Sequence, residues 1–362
     1  MGALTDTLDR VGKISVVVRV HEGASASLLD EALFSLATAQ RQSELGFSIS
    51  VETVLVVQAA GGDRSVGPQR LQGYRSLLEQ HRHGDDQSFV LCVLPNPSGL
   101  DLRSEALNLG LAHATGRYIA FLDYDDVIYP NCYVTLIETL ALGHSILAAG
   151  GVVRAQVEAT EAGLHIRRKQ PWLHLGSKQA DLLDNNFLPL HSFVVDRTRC
   201  PLAAPWFNPK LTRLEDYDFL LRLAALCTFD LTHLNTLLCE YRLVARHMAA
   251  PSRGAEFAPT NVNPLANRDT TNLAAWGNAK RHIERVKQQV RHAVVAQSRL
   301  APQPQTPDAY MPATPGKIWR AVRVAVEQSG GSFAMLGRVA VLSRSLGIRG
   351  VWRRANAIIR RV

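Results

Sequence analysis

Residues 14–20, Ile-Ser-Val-Val-Val-Arg-Val, form a nearly continuous β-branched run that is too apolar to leave either face in water. Similar runs return at residues 51–57, 89–94 and 118–122, and helical spacing separates several of them. Buried strands alternating with helices predict an α/β domain with a parallel sheet covered on both sides. Residues 27–40 put Leu28, Leu29, Ala32, Leu33 and Leu36 on one helical stripe. Residues 102–114 read as a second helix, with Gly116 as its expected C-cap. Beyond residue 150 the pattern loosens into shorter strands and loops, with a clear helix over 214–226. Residues 251–272 read as a linker, 276–300 as a polar helix, and 301–316 as a Pro-, Gln- and Thr-rich stretch.

The chain of 362 residues is 46% hydrophobic and 20% charged, enough to bury a sizeable core. No apolar run is long enough to span a bilayer as a helix. The first thirteen residues lack a basic start followed by an apolar stretch, so no secretory signal is expected. Five scattered cysteines without a CxxC pair argue against a disulfide framework or zinc ribbon and fit a reducing cytoplasm. The formal charge of +8 is unevenly spread. Through residue 250 there are 22 Lys and Arg against 27 Asp and Glu, then 8 against 4 over 251–315, and 10 against 1 over 316–362. The basic character therefore belongs to the tail.

The fourth apolar run leads straight into Asp123-Tyr124-Asp125-Asp126. Ligands of open parallel sheets bind at the carboxyl ends of strands, and alternate carboxylates in a turn can share one hard cation such as Mg²⁺ or Mn²⁺. One helix upstream, Ala106 and Gly110 are a turn apart and allow close approach to the sheet. Arg103 stands toward the start of that helix, where it can reach an anionic ligand or form a salt bridge to a neighbouring acid. A second acidic site, Thr212-Arg-Leu-Glu215-Asp216-Tyr217-Asp218, opens the helix over 214–226. Thr212 and Glu215 have capping-box spacing, which leaves Asp216 in the first turn, where an ionised carboxylate is favoured and can act as a general base.

Taken in order, the run at 14–20, the 103–108 segment, Gly116-Arg-Tyr-Ile-Ala-Phe-Leu-Asp-Tyr-Asp-Asp126 and Leu214-Glu-Asp-Tyr-Asp-Phe-Leu-Leu-Arg222 resemble the family-2 inverting glycosyltransferases, particularly bacterial enzymes of surface-polysaccharide assembly. The resemblance covers roughly residues 13–247. It implies a GT-A fold, Rossmann-like with a mostly parallel sheet and flanking helices, followed by a C-terminal helical basic extension. It also implies that Asp123 and Asp125 hold a divalent cation on a sugar-nucleotide diphosphate and that Asp216 deprotonates the acceptor hydroxyl. Tyr241-Arg242 matches a Tyr-Arg pair of the family, with Arg242 or His247 near the diphosphate and His247 a further metal ligand. Asn186 to Ser192 resembles the stretch before the acceptor region, so His191 and Trp206 are acceptor-side candidates or ordinary packing residues.

The chain departs from the family at two strand ends. Arg19-Val-His21-Glu22 stands where Pro-Thr-Tyr-Asn or similar is usual, and Gln58 stands where an Asp usually reads the nucleotide. The donor-side candidates are therefore His21, Glu22, Gln58, Arg103, Asp123 and Arg242. An amide can still bond a base edge, and His21 can stack on one.

In residues 317–327, Ile318, Trp319, Val322 and Val326 lie opposite Arg320, Arg323 and Glu327. Residues 349–362 divide more sharply, with five arginines on one arc and Val351, Trp352, Ile358 and Ile359 on the other. Such helices suit an anionic membrane interface, though a docked terminal helix or a partner-binding helix has the same pattern. Nucleic acid is not expected, because no binding motif accompanies the charge. The expected organisation is a catalytic domain over 1–250, a linker with a helical segment over 251–315 and a basic tail over 316–362. The expected activity is sugar transfer from a nucleotide donor to a hydroxyl of a growing cell-surface glycan, on the inner face of the cell membrane. Two rivals are a haloacid-dehalogenase-like phosphohydrolase, whose first motif Phe-Leu-Asp-Tyr-Asp resembles, and an inactive binding module of the same fold.

Overall fold

The apolar runs assemble into a single mixed sheet in the computed structural model, which describes residues 12–39, 49–60, 66–82, 88–160, 163–172, 176–245 and 269–302. These belong to one unit, Met1–Pro304. Residues 305–362 make a second unit that lies outside the described residues, so the predicted basic tail does too.

The strands are β1 (Gly12–His21), β2 (Ile49–Gln58), β3 (Ser88–Leu94), β4 (Tyr118–Asp123), β5 (Val127–Ile128), β6 (Leu147–Thr160), β7 (Gly163–Pro171), β8 (Phe193–Asp196) and β9 (Phe229–Ala245). The helices are α1 (Ala26–Thr38), α2 (Pro68–Gln80), α3 (Arg103–His113), α4 (Cys132–Leu142), α5 (Glu215–Ala224) and α6 (Asp269–Leu300). Sheet order is β3-β2-β1-β4-β8-β6-β9-β5, with β7 paired to β6. The first four positions are parallel. β8 enters antiparallel between β4 and β6, and β6 then runs parallel to β9.

Alternation explains why the first strands are apolar throughout. Ile14, Val16, Val18 and Val20 pack with Leu29, Leu33 and Leu36 of α1 and Leu136, Ile137 and Leu140 of α4. Val17, with Val54, Val56 and Phe121, turns the other way onto α3, α5 and α6. Both faces are covered, as the runs require. A Cβ on Gly110 would stand 2.2 Å from Val17 Cγ1, so the absence of a side chain there is what lets α3 lie on β1.

Three local expectations change. Gly116 does not cap α3, which ends on Ala114 in an extended conformation. Gly116 instead passes so close to β1 that a Cβ would lie 2.6 Å from the Ser15 nitrogen. The region after residue 150 is not a set of short strands either, since β6 has 14 residues and β9 has 17. They were hidden by polar and charged residues, some exposed such as Arg154 and some buried in ion pairs such as Glu240 and Arg242, which break an apolar run without breaking a strand. Finally, the helix at 276–300 begins at Asp269, and its Ile283, Val286 and Val294 complete the core beneath α5.

One buried carboxylate ties the strand entrances together. Glu52 of β2 accepts from the Ser15 hydroxyl and from the Thr115 amide at 2.8 Å and hydroxyl at 2.7 Å, and it pairs with Lys13 at 2.8 Å. Burial opposes its charge, but these bonds outweigh burial and hold the carboxyl at about 2. All five cysteines are free thiols, and no described helix is long and apolar enough to cross a membrane.

Candidate active site

Parallel pairing of β1, β2, β3 and β4 brings Arg19, His21, Gln58, Leu94 and Asp123 to one end of the sheet, the carboxyl end. Arg19 and Asp123 are register partners on adjacent strands. Arg19 Nε and Nη2 bind the two oxygens of Asp123, the latter at 2.9 Å, while Nη1 binds Glu215 at the start of α5. Burial disfavours the guanidinium charge, but Asp123 and then Glu215 more than compensate and hold it firmly protonated. Asp123 is correspondingly held below the ordinary carboxylate range, Arg19 overcoming the effect of burial.

The turn after β4 is closed by the Asp126 amide donating to the Asp123 carbonyl at 3.1 Å. Asp126 fixes that turn to the rest of the site. Its Oδ1 accepts from the Arg242 amide at 2.8 Å, and its Oδ2 lies 3.0 Å from His191 Nδ1. Burial disfavours a charged His191, but Asp126, with Asp123 and Asp125 beyond it, raises its pKa above the ordinary imidazole value. The imidazole lies parallel to the Tyr241 ring at 6.1 Å, and its Nε2 is buried without a hydrogen-bond partner among the described residues.

Asp125 is half-buried, as Asp123 is, whereas Asp126 is buried. Burial, then Asp126 and Asp123, push its carboxyl well above the usual range, and beyond its own backbone amide it has no hydrogen-bonding partner among the described residues. A carboxyl raised by two like charges and short of cations is a donor set suited to a hard divalent ion. Among the described residues no group of three or more His, Cys, Asp or Glu side chains is arranged to hold a metal. Asp125 is thus the carboxylate without an ion pair among the described residues, whereas both oxygens of Asp123 are held by Arg19. His247 lies outside the described residues.

The other donor-side candidates are held by structural bonds. His21 Nε2 lies 3.2 Å from the Tyr124 hydroxyl, with the two rings edge to face. Glu22 accepts from the Ala60 amide at 3.0 Å and pairs with Arg70 at 3.4 Å. Gln58 spends both ends of its amide on the loop after β3, donating to the Leu100 carbonyl at 3.0 Å and accepting from the Leu102 amide at 3.1 Å. Arg103 pairs with Asp101 at 2.9 Å, sharing it with Arg213, and remains within electrostatic range of Glu215 and Asp123. The Arg242 guanidinium reaches Glu240 at 2.9 Å and Glu31 rather than the carboxylate turn.

The acceptor side is built by α5. Leu214 has a left-handed backbone, φ 58°, that turns the chain sharply into the helix. Leu214 is the cap residue and no side chain caps the helix, which overturns the Thr212–Glu215 capping box. Glu215 turns instead to Arg19. Asp216 stands in the first turn and accepts from Asn186 Nδ2 at 2.9 Å. Burial and then the neighbouring Glu215 push its carboxyl up to about 6, against the opposing pull of Arg19 and Asn186. Trp206 is a core residue, stacked on Phe219 at 5.7 Å with its indole N–H on the Leu202 carbonyl.

Sequence reasoning named Asp123, Asp125, Asp216 and His191 as site candidates but gave Arg19 no role and Asn186 none beyond opening the acceptor-side stretch. Arg19 carried a signal, being a charged residue within the apolar part of β1, two places before the strand end. The bond of Asn186 to Asp216 had no sequence signal of its own.

Residues 72–198 match the family model described as Glycosyl transferase family 2, a stretch that includes the Asp123–Asp126 turn and His191. No curated protein matches the chain. Solved structures to which the chain shows similarity include S. aureus TarS 1–349 in complex with UDP, at 16% identity over 78% of this chain and 70% of that one, TM-score 0.45. The same protein in complex with UDP-GlcNAc gives 15% identity over 79% and 72%, TM-score 0.45. A mannosyltransferase, PcManGT from Pyrobaculum calidifontis, in complex with GDP-Man and Mn²⁺, gives 13% identity over 97% and 86%, TM-score 0.39. The likeness to glycosyl transferase family 2 thus rests on residues 72–198, the segment that carries β3, β4 and the carboxylate turn.

Proposed function

We propose that the chain is a metal-dependent, inverting glycosyltransferase that moves a sugar from a nucleotide-sugar donor to a hydroxyl of a growing cell-surface glycan. The observation that carries this reading is the pairing of a cation-seeking carboxyl, Asp125, with a base of pKa about 6, Asp216, at the carboxyl end of one sheet. Two carboxylates driven to different tasks by their surroundings are the usual mark of a division of labour.

Asp216 takes the proton of the acceptor hydroxyl as its oxygen attacks the anomeric carbon. The bond from that carbon to the diphosphate breaks on the opposite side, the electron pair leaves with the nucleoside diphosphate, and the centre inverts. A pKa of about 6 leaves Asp216 mostly ionised at neutral pH while keeping it basic enough to accept the proton. Asn186 orients the Asp216 carboxylate from the far side. Asp125 and Asp123 would hold Mg²⁺ or Mn²⁺, which when bound neutralises charge on the departing diphosphate. Arg103 adds positive charge near the same carboxylates. His191 Nε2 and Asn186 Oδ1, both buried without partners among the described residues, supply further polar contacts for substrate.

In this reading residues 1–250 carry catalysis, 251–315 link and brace it, and the basic tail at 316–362 places the enzyme on an anionic membrane surface at the cytoplasmic side. His247 then serves the diphosphate side, Arg242 braces the site through Glu240 and Glu31, and His21, Glu22 and Gln58 shape the nucleotide end through the loops they fix.

The test is release of nucleoside diphosphate from a panel of nucleotide sugars with Mn²⁺ present. Release by the wild-type chain, lost in Asp216→Asn while donor still binds, supports the reading. Unchanged release in that variant overturns it.

A further inference from the structure

The family resemblance gives no part to Arg19, yet this residue holds the centre of the site. Its Nε and Nη2 occupy both oxygens of Asp123, and its Nη1 holds Glu215, the residue before Asp216. The pair with Asp123 is built into the sheet, because parallel register sets the two residues side by side at the ends of β1 and β4. The Arg19 side chain is 13% exposed and that of Glu215 3%, so neither charge has water as a ready alternative partner. Alternation along β1 and β4 directs Arg19 and Asp123 to the same face as Val17 and Phe121, the face that α5 covers.

We propose that Arg19 is a built-in counter-ion that competes with the divalent cation for Asp123 and joins the occupancy of that carboxylate to the start of α5. This rests on the reading of Asp123 and Asp125 as cation ligands. A carboxylate has lone pairs for both a guanidinium and a hard cation, but the two positive charges repel at that distance and the two-point grip of Arg19 fixes the orientation of Asp123, so each weakens the other. The cation alone therefore meets one carboxylate without an ion pair among the described residues, Asp125, and its apparent affinity is reduced by the fraction of molecules in which Asp123 is turned toward it. Glu215 keeps Arg19 within the site when Asp123 changes partner, and Glu215 lies in the same helical turn as Asp216. Arg19 is thus a positioning residue. It keeps Asp123 charged and oriented, and it makes binding of cation alone weak.

The test is titration of Mn²⁺ alone into the full chain, with free Mn²⁺ read by its electron paramagnetic resonance signal. Arg19→Gln removes the competing charge and should bind Mn²⁺ at least about tenfold more tightly than wild type. Arg19→Lys replaces the two-point contact by a single point charge and should fall between the two. Glu215→Gln leaves the Arg19–Asp123 pair in place and should bind no more tightly than wild type. Adding Asp125→Asn to Arg19→Gln should abolish the gain. If Arg19→Gln does not fold, Arg19→Lys against Glu215→Gln decides the matter alone. Equal or weaker Mn²⁺ binding by the Arg19 variants overturns the proposal. If they bind no Mn²⁺, a wild-type titration with nucleoside diphosphates and Mn²⁺ tells which idea has failed. Cation-dependent binding there leaves the glycosyltransferase reading standing, and its absence removes both.

Discussion

Asn186 donates to Asp216 at 2.9 Å from a segment thirty residues upstream, so the candidate base is oriented by a residue outside its own helix. The remaining amide oxygen of Asn186 is buried and unpaired among the described residues. The base therefore has a fixed direction before any substrate arrives.

Replacing Asp216 by Asn removes the proton acceptor and keeps the shape. Transfer should fall by about 10²- to 10⁴-fold, the usual contribution of a positioned base. Donor binding, followed by calorimetry, should remain within about twofold, because Asp216 acts on the acceptor and only in the transition state.

The pH dependence follows from the same residue. Asp216 works only when ionised, and its carboxyl is held at about 6 by burial and Glu215. Activity should therefore rise with pH through about 6 and level off above it. A rate profile of kcat/KM between pH 4.5 and 8 measures this, and a limb centred near 4 contradicts the assignment.

Asp125→Asn should remove the proposed cation ligand that has no ion pair among the described residues. Nucleoside diphosphate should then raise Tm equally with and without Mn²⁺, whereas in the wild type Mn²⁺ should enlarge the shift. Chelation should reproduce the variant's behaviour in the wild-type chain.

Glu52 offers a prediction about stability rather than activity. Its carboxyl sits at about 2 in the folded chain against an ordinary value of 4.5. The sign is that of a depressed acid. Its contribution is fully present above pH 4.5 and disappears as pH falls toward 2, and at neutral pH it amounts to about 3 kcal/mol. Glu52→Gln should lower the urea midpoint at pH 7, by less at pH 3, and hardly at all near pH 2. Gly110→Ala, whose new methyl meets Val17, should cost about 2 kcal/mol by overpacking.

Particular residues show how far the sequence alone reached. The first four strands were legible because burial on both faces leaves an uninterrupted apolar run, as in Val16, Val17 and Val18. β6 and β9 were not, because charged residues such as Arg154 and Glu240 fall within them, and Glu240 is buried only with the help of Lys169 and Arg242. Asp123, Asp125 and Asp216 were legible from their position at element ends. The bond from Arg19 to Glu215 spans 196 residues and depends on which strands become neighbours, which periodicity does not encode. The capping box failed for a related reason. Glu215 has the right spacing from Thr212, but a buried arginine across the site is a stronger, charge-assisted partner than a backbone amide.

The central claim is that this site transfers a sugar, with Asp216 as the base. The most direct measurement is release of nucleoside diphosphate by wild-type chain and Asp216→Asn, across a panel of nucleotide sugars with Mn²⁺ and a glycan acceptor, with donor binding measured on the same samples. The account predicts acceptor-dependent release by the wild type and its near-abolition in the variant with donor binding preserved. Equal release by both, or no binding of any nucleotide sugar to the wild type, would contradict it.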